Sequence, residues 1–244
     1  MHAPDAAKLL DVWERGLRLP LQRKVLALLS ASQPDTSSEA LAALSIGQRD
    51  ALLLNMREQL FGSNFEALSF CPKCGERVEA AFQASDIRAA PQAAAAQALT
   101  LDAGDCRITF RPPATQDLLA IPENTDAAAA RRMLIARCVV EARDAQGERV
   151  DDRGLPEAAI AALAAHVAQA DPQADIELAL SCPACRHAWP AVFDIASFLT
   201  REIHAWAQCL LRDVHALARG YGWSEAAILA LSPTRRQIYL DLVR

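Results

Sequence analysis

Cys71-Pro72-Lys73-Cys74-Gly75 and Cys182-Pro183-Ala184-Cys185 are two copies of one Cys-Pro-x-Cys knuckle, in a chain with seven cysteines among 244 residues. Two thiolates separated by two residues can approach one ion from a single tight turn, and the intervening proline fixes that turn. Zn²⁺ takes four such ligands at tetrahedral corners, so the two knuckles together supply a full four-thiolate set: Cys71, Cys74, Cys182 and Cys185. Four thiolates leave no open coordination position, so the expected Zn²⁺ is structural. His187 could replace one cysteine, although four thiols already suffice. Two disulfides or a redox pair are the competing readings. A redox Cys-x-x-Cys normally opens a helix in a βαβ unit, and neither knuckle does.

The flanks repeat as well. Aligning Cys71 with Cys182 places Phe65 on Ile176, Glu66 on Glu177, Val78 on Trp189 and Phe82 on Phe193. Ile176, Leu178 and Leu180 alternate as a half-buried strand does. The pattern predicts two strand–knuckle–strand hairpins sharing one metal, a composite zinc ribbon whose halves lie about 110 residues apart. The repeat is imperfect at one place. Gly75 suits the left-handed turn that closes a knuckle, whereas the equivalent Arg186 would pay about 1 kcal/mol there.

Composition narrows the rest. The chain is 52% hydrophobic and only 5% aromatic, which suggests close-packed, alanine-rich helices around modest cores. The opening Met1-His2-Ala3-Pro4-Asp5 does not read as a secretory signal. No apolar run approaches the roughly 18 residues that a membrane span needs. A soluble, cytoplasmic protein is expected, and in that reducing compartment clustered cysteines favour metal over disulfides. The formal charge of −5 argues against a duplex-binding face, which is usually basic. Arg131-Arg132, Arg235-Arg236, and Arg15 with Arg18 read as solvated helix faces. Cys138 and Cys209 read as buried small hydrophobes.

The first sixty residues carry helical signals. Leu9, Leu10, Val12, Trp13 and Leu17 form a stripe, and Pro20 suits the first turn before Val25, Leu26, Leu28 and Leu29. Ser37 or Ser38 caps a short helix to Leu44, and Ser45 caps a longer one that Gly62 stops. Residues 89–98, rich in alanine, read as a linker or exposed loop. A strand follows over 106–111, then helices at about 115–120, 126–143 and 155–170. Asp151-Asp152, beside Arg149 and Arg153, reads as a polar surface turn. The last fifty residues are helical: Phe198 through Tyr221 at spacings of three and four, a short helix capped by Ser224, and a final one opened by Ser232-Pro233. Trp206, Trp223 and Tyr239 read as core residues or as anchors for a partner.

The expected fold is α+β and mostly helical. It divides into an N-terminal helical region 1–63, a first ribbon half 64–88, a mainly helical insertion with a short strand 89–174, a second ribbon half 175–194, and a C-terminal helical region 195–244. Catalytic signatures are missing. Neither a phosphate-binding glycine loop nor a Gly-x-Ser-x-Gly elbow occurs, and only nine glycines are present. His204 and His215 read as surface histidines. A non-enzymatic protein is expected.

Taken in order, several motifs resemble the baseplate hub assembly chaperone family of T4-like phages, in the form found with phage-tail-like contractile injection systems. They are Trp13-Glu14-Arg15-Gly16-Leu17, Ile46-Gly47-Gln48-Arg49-Asp50-Ala51-Leu52-Leu53, the first knuckle through Val78, Asp171-Pro172-Gln173-Ala174-Asp175-Ile176, the second knuckle, Phe193-Asp194-Ile195-Ala196-Ser197-Phe198-Leu199 and Tyr221-Gly222-Trp223-Ser224-Glu225. The family prefers Gly where this chain has Arg186. The resemblance implies a non-enzymatic chaperone that holds or positions a hub or spike protein while a baseplate forms in the cytoplasm. A structural baseplate subunit retained in the particle shares every one of these features. A zinc-ribbon nucleic-acid factor is the reading from a different class.

Overall fold

The computed structural model describes residues 3–90, 98–104, 106–150 and 155–243, which form two compact units, 1–37 with 195–244 and 38–194. Both helix and strand are present, so the fold is mixed α+β. Residues 91–97 of the alanine-rich stretch, and Asp151, Asp152 and Arg153, lie outside the described residues.

The first unit is helical. Its members are α1 (Ala6–Gly16), α2 (Leu21–Ser32), α8 (Ile195–Tyr221), α9 (Glu225–Leu229) and α10 (Pro233–Val243). Asp5 caps α1 by accepting the Lys8 N–H, and Ser224 caps α9 by accepting from Ala227. Leu199, Ile203, Ala207, Leu210, Val214 and Leu217 bury one stripe of α8, with Leu9, Val12, Val25, Leu28 and Leu29 buried on α1 and α2. The chain then turns at Gly222 (φ 68), and α10 packs beside α8. Gly220 makes that approach possible, since a Cβ there would lie 2.8 Å from a Val243 methyl. Arg236 departs from the expected solvated face. It is buried, 3.9 Å from Asp213, because α10 turns this side toward α8, while Arg235 stays exposed.

The second unit holds α3 (Ser38–Ala43), α4 (Ile46–Phe61), β1 (Asn64–Phe70), β2 (Arg77–Gln83), β3 (Leu99–Ala103), β4 (Cys106–Phe110), α5 (Thr115–Leu119), α6 (Ala127–Cys138), β5 (Val139–Arg143), α7 (Glu157–Ala170), β6 (Ile176–Ser181) and β7 (Ala188–Phe193). Strands β3, β4 and β5 form an antiparallel sheet, whose Leu101, Ile108, Phe110 and Ala142 pack with Leu155, Ala159 and Leu163. Two elements depart from the sequence expectation. The helix expected to reach 143 stops at Cys138, and Val139–Arg143 pairs with β4 as a strand. Adjacent β-branched Val139 and Val140 pack well on a pleated surface and poorly against a helical turn. Strand β3 lies just after the alanine-rich stretch, and its signal is the Gly104-Asp105 pair before β4.

Helix α4 begins on a capping box. Ser45 Oγ accepts the Gln48 N–H at 3.1 Å, and Gln48 Oε1 accepts the Ser45 N–H at 3.0 Å. Its buried side includes charged residues. Arg49 Nε donates to Asp50 Oδ1 at 2.7 Å, and both residues are buried. Arg57 lies over the Phe65 ring at 3.9 Å and donates to the Gly62 and Asn64 carbonyls. Asp171, at the end of α7, accepts the Gly47 N–H at 2.8 Å. Gln173 accepts from Ala89 N–H and donates to the Ile87 carbonyl. The Ile46–Asp50 and Asp171–Gln173 motifs are thus halves of one buried polar junction.

Burial lifts the Asp50 carboxyl to about 6 against the pull of Arg49, with Asp194 and Asp171 adding to the lift. The folded value lies above the unfolded one, near 3.9, so the native state holds this proton more tightly. The contribution of Asp50 to stability therefore rises as pH falls from about 6 toward about 4. Asp117 has the opposite sign. Burial would raise it, but Arg111, the Ala114 N–H and Arg137 hold it below its ordinary value. Its contribution is present above the unfolded pKa and is lost as pH falls through the folded one. Asp50→Asn should flatten the pH dependence of the unfolding free energy between pH 7 and 4, by on the order of 2 kcal/mol. Urea titrations across that range check this, and an unchanged slope refutes it.

Candidate metal centre

Each knuckle sits at the tip of a two-stranded antiparallel hairpin, β1–β2 for the first and β6–β7 for the second. The aligned positions occupy equivalent places. Phe65 pairs with Phe82 across the first hairpin, and Ile176 pairs with Phe193 across the second. Phe65, Phe82 and Phe193 meet with ring centroids 5.2 to 5.8 Å apart, two of the three contacts edge-on. The inner hairpin faces therefore touch through the residues that the repeat identified.

The turns are built alike. Cys71 N–H donates to Glu76 O and Gly75 N–H to Cys71 O, each at 2.9 Å. Cys182 N–H donates to His187 O and Arg186 N–H to Cys182 O, again at 2.9 Å. Gly75 has φ 76 and Arg186 has φ 58, and Arg186 is the one non-glycine residue with positive φ among the described residues. Arg186→Gly should therefore raise stability by about 1 kcal/mol, read as a higher denaturant midpoint. A lower midpoint would mean that the arginine side chain contributes more than its backbone costs.

The four knuckle thiols converge, their Sγ atoms all within 4.8 Å of one another. Cys71 and Cys185 sulfurs are 3.6 Å apart, as are those of Cys74 and Cys182. Each close pair joins the first cysteine of one knuckle to the second cysteine of the other, so exchanging the hairpins maps one pair onto the other. A tetrahedral ion with Zn–S near 2.3 Å spaces its sulfurs about 3.8 Å apart, whereas a disulfide needs about 2.0 Å. All seven cysteines are free. The donor set and its spacing fit a divalent thiophilic ion. His187 is no part of the cluster; its ring stacks on Trp189.

Surroundings favour charge capture by a cation. Cys71 and Cys182 are buried with Val78, while Cys185 and Trp189 pack against them and Cys74 is exposed. Burial opposes ionisation of Cys71, but the backbone N–H groups of Cys74 and Lys73 and the neighbouring sulfurs lower its pKa to about 7. Cys74 lies in the field of an N–H hydrogen bond from Glu76, yet Cys185, burial and the other two thiols push it up to about 12. Of these two thiols one ionises readily and the other does not, so an incoming divalent ion would have to displace the Cys74 proton.

Outside this centre, Asp117, Asp50, Asp171 and Arg236 are buried charges that periodicity alone does not reveal. Cys138 is buried as expected, whereas Cys209 is exposed, because it lies off the stripe by which α8 packs. Of the two histidines expected at the surface, His204 accepts the Trp13 indole N–H and His215 is exposed. No helix among the described residues is long and apolar enough to cross a membrane.

A family model described as T4 bacteriophage base plate protein matches residues 22–200, a span that contains both knuckles and the whole 38–194 unit. No curated protein and no solved structure matches the chain.

Proposed function

The chain belongs to the T4 bacteriophage base plate protein family, and from that premise we propose that it is a non-enzymatic chaperone for a baseplate hub or spike protein of a phage-tail-like contractile system. It works in the cytoplasm while the baseplate forms, and Cys71, Cys74, Cys182 and Cys185 hold a structural Zn²⁺. The observation that carries the metal assignment is the convergence of four thiols from two hairpins about 110 residues apart. Their closed set offers no position to a substrate, in keeping with a role in assembly rather than chemistry.

The chain's own residues suggest what the centre does. The metal would staple β1–β2 to β6–β7 at their tips, and the Gly47–Asp171 contact closes the same long segment at its base. Two closures far apart in sequence keep the 38–194 unit in one conformation, as a surface presented to a client requires. The order of motifs shared with the hub assembly chaperones supports a role in building the baseplate, and a subunit retained in the particle would share it.

Quantitative mass spectrometry of purified particles and of the producing lysate separates the readings. Abundance in the lysate with absence from the particles is the expected result. Fixed stoichiometry with hub proteins in the particle would make it a structural subunit instead.

A further inference from the structure

The helical unit carries a groove unrelated to the metal centre. Trp13, Gly16 and Leu17 at the end of α1, Lys24 and Leu28 of α2, and Arg201 and His204 of α8 line a cavity of about 190 Å³. Val12, Leu28 and Ile203 give it an apolar floor, and Gly16 contributes no side chain there. The Trp13 indole N–H donates to His204 Nδ1 at 3.1 Å, which fixes the ring as one wall. Leu17, 48% exposed, forms an open apolar lip.

The rim is basic. Among the described residues no acidic side chain lines the groove and neither Lys24 nor Arg201 makes an ion pair; Arg201 Nε donates to the Ser197 carbonyl of its own helix. In a chain of net charge −5, two such cations flanking an apolar slot select for a ligand of opposite sign. The volume suits one bulky apolar side chain, since an apolar cavity of about 150 Å³ accepts a benzene ring.

We propose that this groove docks a short peptide segment of another protein, in which one leucine or phenylalanine enters the slot and flanking aspartate or glutamate side chains meet Lys24 and Arg201. The proposal is independent of whether the partner is a client released later or a neighbour kept in the particle.

Gly16 offers a selective test. A Cβ at this position would meet only Lys24 Cγ, at 3.6 Å, an ordinary contact. Gly16→Leu therefore fills the slot without backbone strain and adds a better helix former. The probes are two fluorescein-labelled nonapeptides with a central Leu-Phe pair, one flanked by aspartates and one by lysines, titrated against the full chain by fluorescence polarisation. The wild type should bind the aspartate peptide at least about tenfold more tightly than the lysine peptide. Gly16→Leu should lose that binding while keeping the wild-type circular dichroism and thermal midpoint. The double variant Lys24→Glu/Arg201→Glu should reverse the preference between the peptides.

Equal binding of the two peptides, binding unaffected by Gly16→Leu, or no binding at millimolar peptide would each overturn the proposal. So would a wild-type dimer in sedimentation velocity that Gly16→Leu dissociates, because a second copy would then own the groove.

Discussion

With Zn²⁺ held by the four thiols as proposed, Cys182→Ser and Cys71→Ser are each expected to abolish stoichiometric zinc binding and to unfold the two hairpins. Both sulfurs are buried, so a serine would leave three thiols around a gap and bury a hydroxyl where a soft ligand stood. Structural zinc in finger peptides is worth about 10–16 kcal/mol of apparent free energy, which exceeds the net stability of most domains. Here the β3–β4–β5 core with α7 is separate from the ribbon, so residual helix should survive in far-UV circular dichroism. Protection of the β1, β2, β6 and β7 amides from hydrogen exchange should collapse. Zinc content by plasma emission should fall from one ion per chain to a small fraction. Cys209→Ser, at an exposed sulfur outside the cluster, is the control and should change neither. A metal-free Cys182→Ser protein with the wild-type midpoint would remove the centre from any account of this fold.

The convergence of the four thiols was legible because the knuckle is written twice. Two knuckles with matching flanks need no tertiary information to be paired, and the shared register of Phe65–Phe82 and Ile176–Phe193 follows from the same alignment. Helix boundaries marked by local chemistry were equally readable. Ser45 caps α4 through its own hydroxyl, and Ser224 does the same for α9. Where the outcome depended on distant partners, the local signal failed. The helical stripe of Leu134, Ile135, Cys138 and Val139 led the expected helix on to 143, yet β4 offers Val139–Arg143 a ladder to join. Arg49, Asp50, Arg236 and Asp117 look like solvated charges until the elements that cover them are in place. The groove around Gly16 needed three helices that meet from opposite ends of the chain. Strand β3 was readable from the Gly104-Asp105 turn signal before β4, but it is short and follows directly on an alanine-rich stretch that has no strand period of its own.

Gly47→Ala is expected to destabilise the protein by about 2–4 kcal/mol, although glycine to alanine inside a helix ordinarily stabilises by about 1 kcal/mol. The difference in sign comes from Asp171. A Cβ at position 47 would stand 2.0 Å from Asp171 Oδ1 and 3.0 Å from the Ala174 nitrogen, distances that no rotamer of alanine relieves. Either the carboxylate turns away or the start of α4 moves. In the first case the Gly47 N–H at 2.8 Å loses its acceptor, and a buried carboxylate that burial has already raised above its ordinary pKa loses a compensating donor. In the second case the Ser45–Gln48 capping box and the Ile46 N–H bond to Pro113 O are strained as well. The double variant Gly47→Ala/Asp171→Ala discriminates between these routes. If the clash with the side chain dominates, trimming Asp171 makes room for the methyl, and the double variant is less destabilised than the sum of the singles by about 1–3 kcal/mol. If the backbone at Ala174 dominates, the two costs add. A Gly47→Ala protein more stable than the wild type in urea would refute the close approach itself, and with it the claim that Ile46–Asp50 and Asp171–Gln173 are two sides of one junction.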